Sequence, residues 1–217
     1  MSASTLSLRI SEIFCSIQGE ARDAGFPTVF VRLTGCPLRC VYCDTAYAFT
    51  GGELMTLDTI LAKVADYNIR RVTVTGGEPL AQKHCLALLT ALSDAGYAVS
   101  LETSGAIDIS GVDERVVKVV DIKTPDSGES ARNRLQNLGH LKPADQLKFV
   151  IGSRDDYLWS LDFIDSHQLA ERCELLFSPV YDKISAVDIA NWLLEDRRQI
   201  RLQIQLHKYL WGEVAGK

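Results

Sequence analysis

The stretch 28-TVFVRLTGCPLRCVYCDT-45 starts as a β-rich run and ends in a loop carrying three of the chain's six cysteines, Cys36, Cys40 and Cys43. Within the run, Val29, Val31 and Leu33 alternate with Phe30 and Arg32, so a strand here has an apolar face and a face that aims a guanidinium at whatever it encloses. A strand ending in a thiol loop, in a chain that keeps alternating β-rich runs with helical patterns, predicts parallel α/β architecture. In such folds the reactive groups sit just past the carboxyl ends of the strands.

The alternation continues outward from this stretch. Further runs read as strands in RRVTVTGG (Arg70 to Gly77), YAVSLETSG (Tyr97 to Gly105), VVKVVDIKTP (Val116 to Pro125), QLKFVIG, CELLFSPV and the closing RLQIQLH (Arg201 to His207). Between them, LDTILAKVADY has Thr56 as its cap, and EPLAQKHCLALLTALSDAG puts Ala81, Cys85, Leu88, Leu89 and Leu92 on one helical face before Gly96. Helices are also expected through RDDYLWSLDFIDSHQL and SAVDIANWLLEDR. The segment TPDSGESARNRLQNLGHLK is poor in helical pattern, which predicts fewer crossover helices than a complete partial barrel would have. The series defines an α/β fold, either an open doubly wound sheet or a curled partial barrel. With 217 residues, 47% of them apolar, one domain over residues 1–217 is the expectation.

Composition excludes several classes of function. Against 28 acidic side chains stand 23 basic ones, a formal charge of −5, with no Lys/Arg run of the kind that grips a phosphate backbone. No direct nucleic-acid partner is expected. The opening MSASTLSLRISEIF lacks a basic segment followed by an apolar one, and no run is long enough to span a bilayer, so a cytoplasmic protein without a membrane partner is expected. In a reducing compartment clustered cysteines point to metal or redox chemistry rather than to a disulfide framework.

Cys36, Cys40 and Cys43 are spaced C-x3-C-x2-C. A closed structural zinc site takes four protein ligands, and no fourth Cys or His lies nearby; His84 and Cys85 fall in a patterned helix. Three thiolates leave one iron of a cubane iron–sulfur cluster open for chemistry. Cys15, Cys85 and Cys173 sit in apolar surroundings and are assigned to the core. The other strand ends carry TGGEP (Thr75 to Pro79), ETSG and DIKTP. Asp121 and Lys123 share one face of their strand, and Ile122 takes the other. Arg32 suits a bidentate carboxylate, from a substrate or from a protein Asp or Glu. On the last run Gln203, Gln205 and His207 alternate with Leu202, Ile204 and Leu206. That polar face lines an interior or meets solvent, and the pattern leaves both readings open.

The cysteine spacing, with Tyr42 just before the last cysteine, resembles the signature of the radical S-adenosylmethionine superfamily. Its core is an open, partial (β/α)6-type barrel of parallel strands, with reduced helices here. EIFCSIQGE (Glu12 to Glu20) followed by GFPTVFVRLTGCPLRCVYCDT, and then TGGEPL, LETSG, DIKTP and QLHKYLWG, resembles the 7-carboxy-7-deazaguanine synthase family over most of the chain.

The resemblance implies a carbon–nitrogen lyase of deazapurine (queuosine-type) biosynthesis, with a [4Fe-4S] cluster, S-adenosyl-L-methionine and Mg2+ as cofactors. Cys36, Cys40 and Cys43 would hold the cluster, and Thr45 would give an oxygen to Mg2+. Ile17, Gln18, Gly19, Arg32 and Thr75 would bind the pterin substrate, with Glu20, Gln203 and His207 as further contacts. Tyr42, Asp44, Gly77, Glu102, Asp121, Ile122 and Lys123 would bind S-adenosylmethionine. A one-electron donor such as a flavodoxin or ferredoxin and a homodimer are the implied partners. Two rivals differ in testable ways. A glycyl-radical activase would share the cysteine loop but lack SIQGE; a zinc-stabilised interaction module would need no S-adenosylmethionine.

Overall fold

The computed structural model describes residues 6–212 together with Val214 and Gly216. In chain order the strands are β1 (Ser7–Ile17), β2 (Pro27–Leu33), β3 (Glu53–Thr56), β4 (Arg71–Gly76), β5 (Ala98–Thr103), β6 (Val117–Ile122), β7 (Gln146–Ile151), β8 (Glu174–Pro179) and β9 (Arg201–Leu202). The α-helices are α1 (Leu57–Ala65), α2 (Cys85–Asp94), α3 (Arg154–Ser166), α4 (Ala186–Asp196) and α5 (Leu206–Trp211). Among the described residues the strands form one sheet in the order β3-β1-β2-β4-β5-β6-β7-β8-β9. From β2 to β9 every neighbouring pair is parallel, whereas β1 pairs antiparallel with both β2 and β3.

The expected open, partial parallel barrel is present, with an antiparallel flank that the sequence pattern hid. In β1 the residues facing the core are Leu8 and Ile10, both 1% exposed, and then Ile13. The pairing register slips between Ile10 and Glu12, so the apolar period changes from two to three at that point. A bulge thus breaks the alternation that would have marked the strand.

Each face of the sheet follows its sequence. Val29, Val31 and Leu33 of β2 are fully buried in a core shared with α1 and α2, and Phe149, Phe177 and Tyr157 anchor a second core under α3 and α4. Thr56 caps α1 by accepting from Thr59 N at 3.2 Å, and Ser153 caps α3 by accepting from Asp156 N at 3.2 Å. Cys85, Leu88, Leu89 and Leu92 form the buried face of α2, and Gly96, at φ 83°, follows its end. Ala81 lies instead in a preceding 3-10 turn and is exposed. Of the three remaining cysteines Cys85 and Cys173 are buried as expected, while Cys15 is half-buried. Between β6 and β7 the chain makes three 3-10 turns in place of an α-helix.

The last run departs from its reading. Only Arg201 and Leu202 pair with β8, after which the chain turns into α5. Leu206 N donates to Gly19 O at 3.0 Å, and Gln203 Oε1 accepts from Ala21 N at 2.7 Å. The loop after β1 and the entry to α5 therefore bridge the barrel's open side through hydrogen bonds, where a longer strand would have extended the sheet.

Candidate active site

A cavity of about 510 Å³ opens where the parallel strands end. Its walls include Phe30 and Arg32 of β2, Thr75 of β4, Glu102 of β5, Asp121 of β6 and Lys148 of β7, together with the cysteine loop and residues of α5. The register explains the row. Arg32 stands beside Thr75, and Asp121 beside Lys148, on neighbouring strands whose alternate residues point inward.

Cys36, Cys40 and Cys43 all line this cavity as free, half-buried thiols. Their loop is held on both flanks. Val41 N donates to Ser127 O at 3.0 Å, Gly35 N to Ala48 O at 2.8 Å, and Arg39 Nη1 to Cys36 O at 2.8 Å. Gly77 lies directly behind it: a Cβ there would meet Gly35 O and stand 2.7 Å from the Cys36 Cβ. Burial pushes the Cys36 and Cys40 thiols up, with the Lys123 ammonium opposing it in both. Holding both as thiolates therefore calls for additional positive charge at the loop, such as a metal centre supplies. Among the described residues no three His, Cys, Asp or Glu side chains converge as ligands of a single ion. A cubane spreads its cysteines over three irons and needs no such convergence, so this loop suits a cluster better than a mononuclear zinc.

Behind the loop, Glu78 is fully buried and takes a second strand end in hand. Its carboxylate accepts from Leu80 N at 3.0 Å, Thr103 Oγ1 at 2.9 Å and Ser104 N at 2.7 Å. One side chain thus ties TGGEP to ETSG. Similarly, Asp156 accepts from Thr124 Oγ1 at 2.9 Å, Asp126 N at 3.0 Å and Gly152 N at 2.9 Å, which fixes the DIKTP loop against α3.

The cavity's charges are interleaved. Asp121 Oδ2 lies 3.1 Å from Lys123 Nζ and 3.7 Å from Lys148 Nζ, while its buried Oδ1 has no hydrogen-bond partner among the described residues. An orphaned acceptor in the cavity wall is a ready contact for a ligand hydroxyl or amine. Glu102 accepts from Thr75 Oγ1 at 3.0 Å and Gln18 Nε2 at 3.2 Å. Burial and the neighbouring Glu20 charge push its carboxyl up. Glu20 behaves oppositely: burial works against ionisation, but Lys148 at 2.5 Å and Gln205 at 2.7 Å hold its pKa below the usual value. Asp44 is likewise held well below the carboxylate range in spite of burial, by Lys208 at 2.8 Å and Thr45 at 2.9 Å. Burial lowers the His207 pKa, so the ring is neutral at pH 7.

Arg32 faces the cavity as its strand face requires, yet its Nε already donates to Glu12 Oε1 at 2.7 Å. The terminal guanidinium nitrogens make no hydrogen bond among the described residues, so the pairing with a protein carboxylate leaves part of the fork to a ligand.

Of the residues singled out from the sequence, Ile17, Gln18, Glu20, Arg32, Tyr42, Asp44, Thr45, Thr75, Gly77, Glu102, Asp121, Lys123 and His207 line the cavity with the three cysteines. Three stand outside it. The Ile122 side chain points into the second core, 4% exposed, as the period-two reading of its strand requires. Gly19 lies where any Cβ would strike the His207 ring, so it seats that ring. Gln203 holds Ala21 N from below. Lys148, Lys208 and Glu78 were missed. Lys148 was readable, because Gln146, Lys148 and Val150 alternate with the fully buried Leu147, Phe149 and Ile151. Lys208 lies beyond the strand that the alternation wrongly extended, and Glu78 gives no periodic signal.

A strand-end cavity with a three-cysteine loop, a glycine pair packed against it and an open partial barrel define a radical S-adenosylmethionine protein. A model of the radical SAM superfamily matches residues 30–122. The chain is 44% identical over 211 residues to the 7-carboxy-7-deazaguanine synthase of Chlorobaculum tepidum, covering 96% of each chain. It is 41% identical over 221 residues to that of Koribacter versatilis, covering 94% of this chain and 97% of the relative. The chain belongs to the 7-carboxy-7-deazaguanine synthase family. Its fold matches the crystal structure of QueE from Escherichia coli with a TM-score of 0.77 at 22% identity, over 93% of this chain and 95% of that one.

Proposed function

We propose that this protein converts 6-carboxy-5,6,7,8-tetrahydropterin to 7-carboxy-7-deazaguanine and ammonia, a ring contraction in deazapurine biosynthesis. Membership of the family supports the reaction, and one observation ties it to this cavity: a half-engaged guanidinium, Arg32, shares the wall with three free thiols. The substrate's atoms equal those of the product plus ammonia, so the net conversion needs no external oxidant. A reduced [4Fe-4S] cluster and S-adenosylmethionine supply, when bound, the radical that removes hydrogen from C6.

This chain's residues do the rest. Cys36, Cys40 and Cys43 would hold the cluster. The open nitrogens of Arg32 would take the substrate carboxylate, with Gln18 and Thr75 beside it. The orphaned Asp121 Oδ1 would accept from a cofactor hydroxyl, and Lys123 would meet its carboxylate. Thr45 would offer Mg2+ its hydroxyl, leaving water and substrate to fill the remaining positions. A one-electron donor of the flavodoxin or ferredoxin kind and a homodimer complete the reading.

The deciding assay is anaerobic, with reconstituted cluster, dithionite, S-adenosylmethionine, Mg2+ and the tetrahydropterin, read by mass spectrometry. Product that vanishes in Cys40→Ala and falls sharply in Arg32→Ala supports the reading. 5'-Deoxyadenosine without product would retain the radical chemistry and overturn the substrate.

A further inference from the structure

Lys148 is a largely buried charge in the cavity with no role so far. Its side chain is 13% exposed, on an inward position of β7, with Nζ 2.5 Å from Glu20 Oε2 and 3.7 Å from Asp121 Oδ2. Those carboxylates come from different elements of the fold. Glu20 belongs to the loop after β1, beside Gln18; Asp121 ends β6, beside Lys123.

The loop carrying Glu20 is fixed with unusual thoroughness. Ala21, at φ 62°, donates its N–H to Gln203 Oε1 at 2.7 Å, Arg22 N donates to Gln146 Oε1 at 2.9 Å, and Glu20 N to Gln18 Oε1 at 3.2 Å. Two of these supports come from far along the chain: Gln203 follows the edge strand β9, and Gln146 lies on the interior strand β7, where it shares the inward face with Lys148. A left-handed non-glycine backbone with its amides committed to side chains is a costly arrangement for a loop that only connects two strands. Its effect is to aim one carboxylate at one ammonium.

We propose that Lys148 is a positioning residue that holds Glu20 as an aimed carboxylate in a cavity it shares with Glu102, so that Glu20 can accept the paired N–H groups of the substrate's aminopyrimidine edge. The inference rests on the pterin reading above. Without the ammonium, two buried carboxylates face one another and one takes a proton, which turns an acceptor into a donor. The groups acting on Glu20 come from every neighbouring element: Lys148 from β7, Glu102 from β5, Asp44 from the cysteine loop, and Gln205 and His207 around α5. Asp121 and Arg32 act through Lys148 and Glu102. Lys148 is the cation in direct contact with Glu20.

The test uses the reconstituted full-chain holoenzyme, wild type against Lys148→Met, Glu20→Gln and the double variant. Thermal midpoints are read between about pH 5 and pH 8, and 6-carboxypterin binding by equilibrium dialysis. In Lys148→Met the folded pKa of Glu20 rises above its unfolded value of about 4.3, so that variant loses stability relative to wild type as pH rises. Glu20→Gln in the same chain removes that dependence. Binding of 6-carboxypterin weakens about thirtyfold or more in Lys148→Met at the acid end and recovers as pH rises, and Lys148→Met adds little loss to Glu20→Gln. Midpoints that parallel the wild type at every pH, a pH-independent ratio of binding constants, or additive losses in the double variant would each overturn the inference. A wild-type holoenzyme that binds no 6-carboxypterin would overturn the functional reading, and the midpoints would then decide the Lys148–Glu20 link alone.

Discussion

Arg32 Nε and Glu12 Oε1 face each other at 2.7 Å across the β1–β2 ladder, one residue beyond the register slip in β1. Tyr47 Oη donates to the same Glu12 oxygen at 2.7 Å, and burial together with that bond pushes the phenol up to about 12. The carboxylate thus orients the guanidinium by one nitrogen and leaves the others facing the cavity. Arg32→Lys keeps the charge but loses the fork, so kcat/KM is expected to fall by about a hundredfold with the thermal midpoint nearly unchanged. Steady-state kinetics beside a melt checks it. Equal losses in both would mean that Arg32 serves the fold.

Gly77 makes the second prediction. A methyl group there cannot be absorbed, because the nearest atoms are the backbone of Gly35 and the Cβ of Cys36. Gly77→Ala is expected to displace the cysteine loop while the sheet survives. Iron content after reconstitution should drop several-fold at unchanged far-ultraviolet circular dichroism. Full iron loading would show that the loop can move without harm.

Much of this was legible, and the failures share a cause. The alternation of Val29 to Leu33 announced both faces of its strand, and α1 announced its cap; in Val117 to Ile122 the pattern separated Asp121 from Ile122 but gave no sign that Lys118 is buried. The row Arg32, Thr75, Glu102, Asp121 followed from strand ends alone. β1 was hidden by its bulge, and β3 by being four residues long between a Gly-Gly turn and a helix. For RLQIQLH the alternation was real but misread: exposed Ile204 and half-buried Leu206 leave the sheet, and Gly19 O captures the Leu206 amide. Such contacts span almost the whole chain length and leave no local periodic trace. Glu78 was invisible for the same reason, since its partners lie at the end of another strand.

Glu102 predicts a stability that depends on pH. Its carboxyl is pushed up by burial and by Glu20, so its contribution is full below the unfolded value of about 4.3 and is lost as pH rises through the folded value. Glu102→Gln should therefore stabilise the protein relative to wild type at about pH 8, with the difference shrinking toward pH 4, while enzymatic activity falls. Urea unfolding at several pH values measures it. A difference that grows toward low pH would reverse the assigned sign.

Lys118 and Asp145 carry the last prediction, away from the cavity. Their ion pair of 2.8 Å joins side chains only 4% and 0% exposed, and Asp145 also accepts from Lys118 N at 2.9 Å and Lys142 N at 2.8 Å. The pair secures the entry to β7 against β6, the two strands that carry Lys148 and Asp121. Removing one partner leaves a buried charge with nothing to offset it, so Asp145→Ala is expected to cost about 3–5 kcal/mol. Replacing both, as in Lys118→Met with Asp145→Leu, removes the stranded charge but still abandons two backbone N–H groups. That double variant should recover only part of the loss, and urea unfolding of the three proteins distinguishes the two contributions. Full recovery would mean that the ion pair alone, and not the amides gathered by Asp145, holds this end of the barrel.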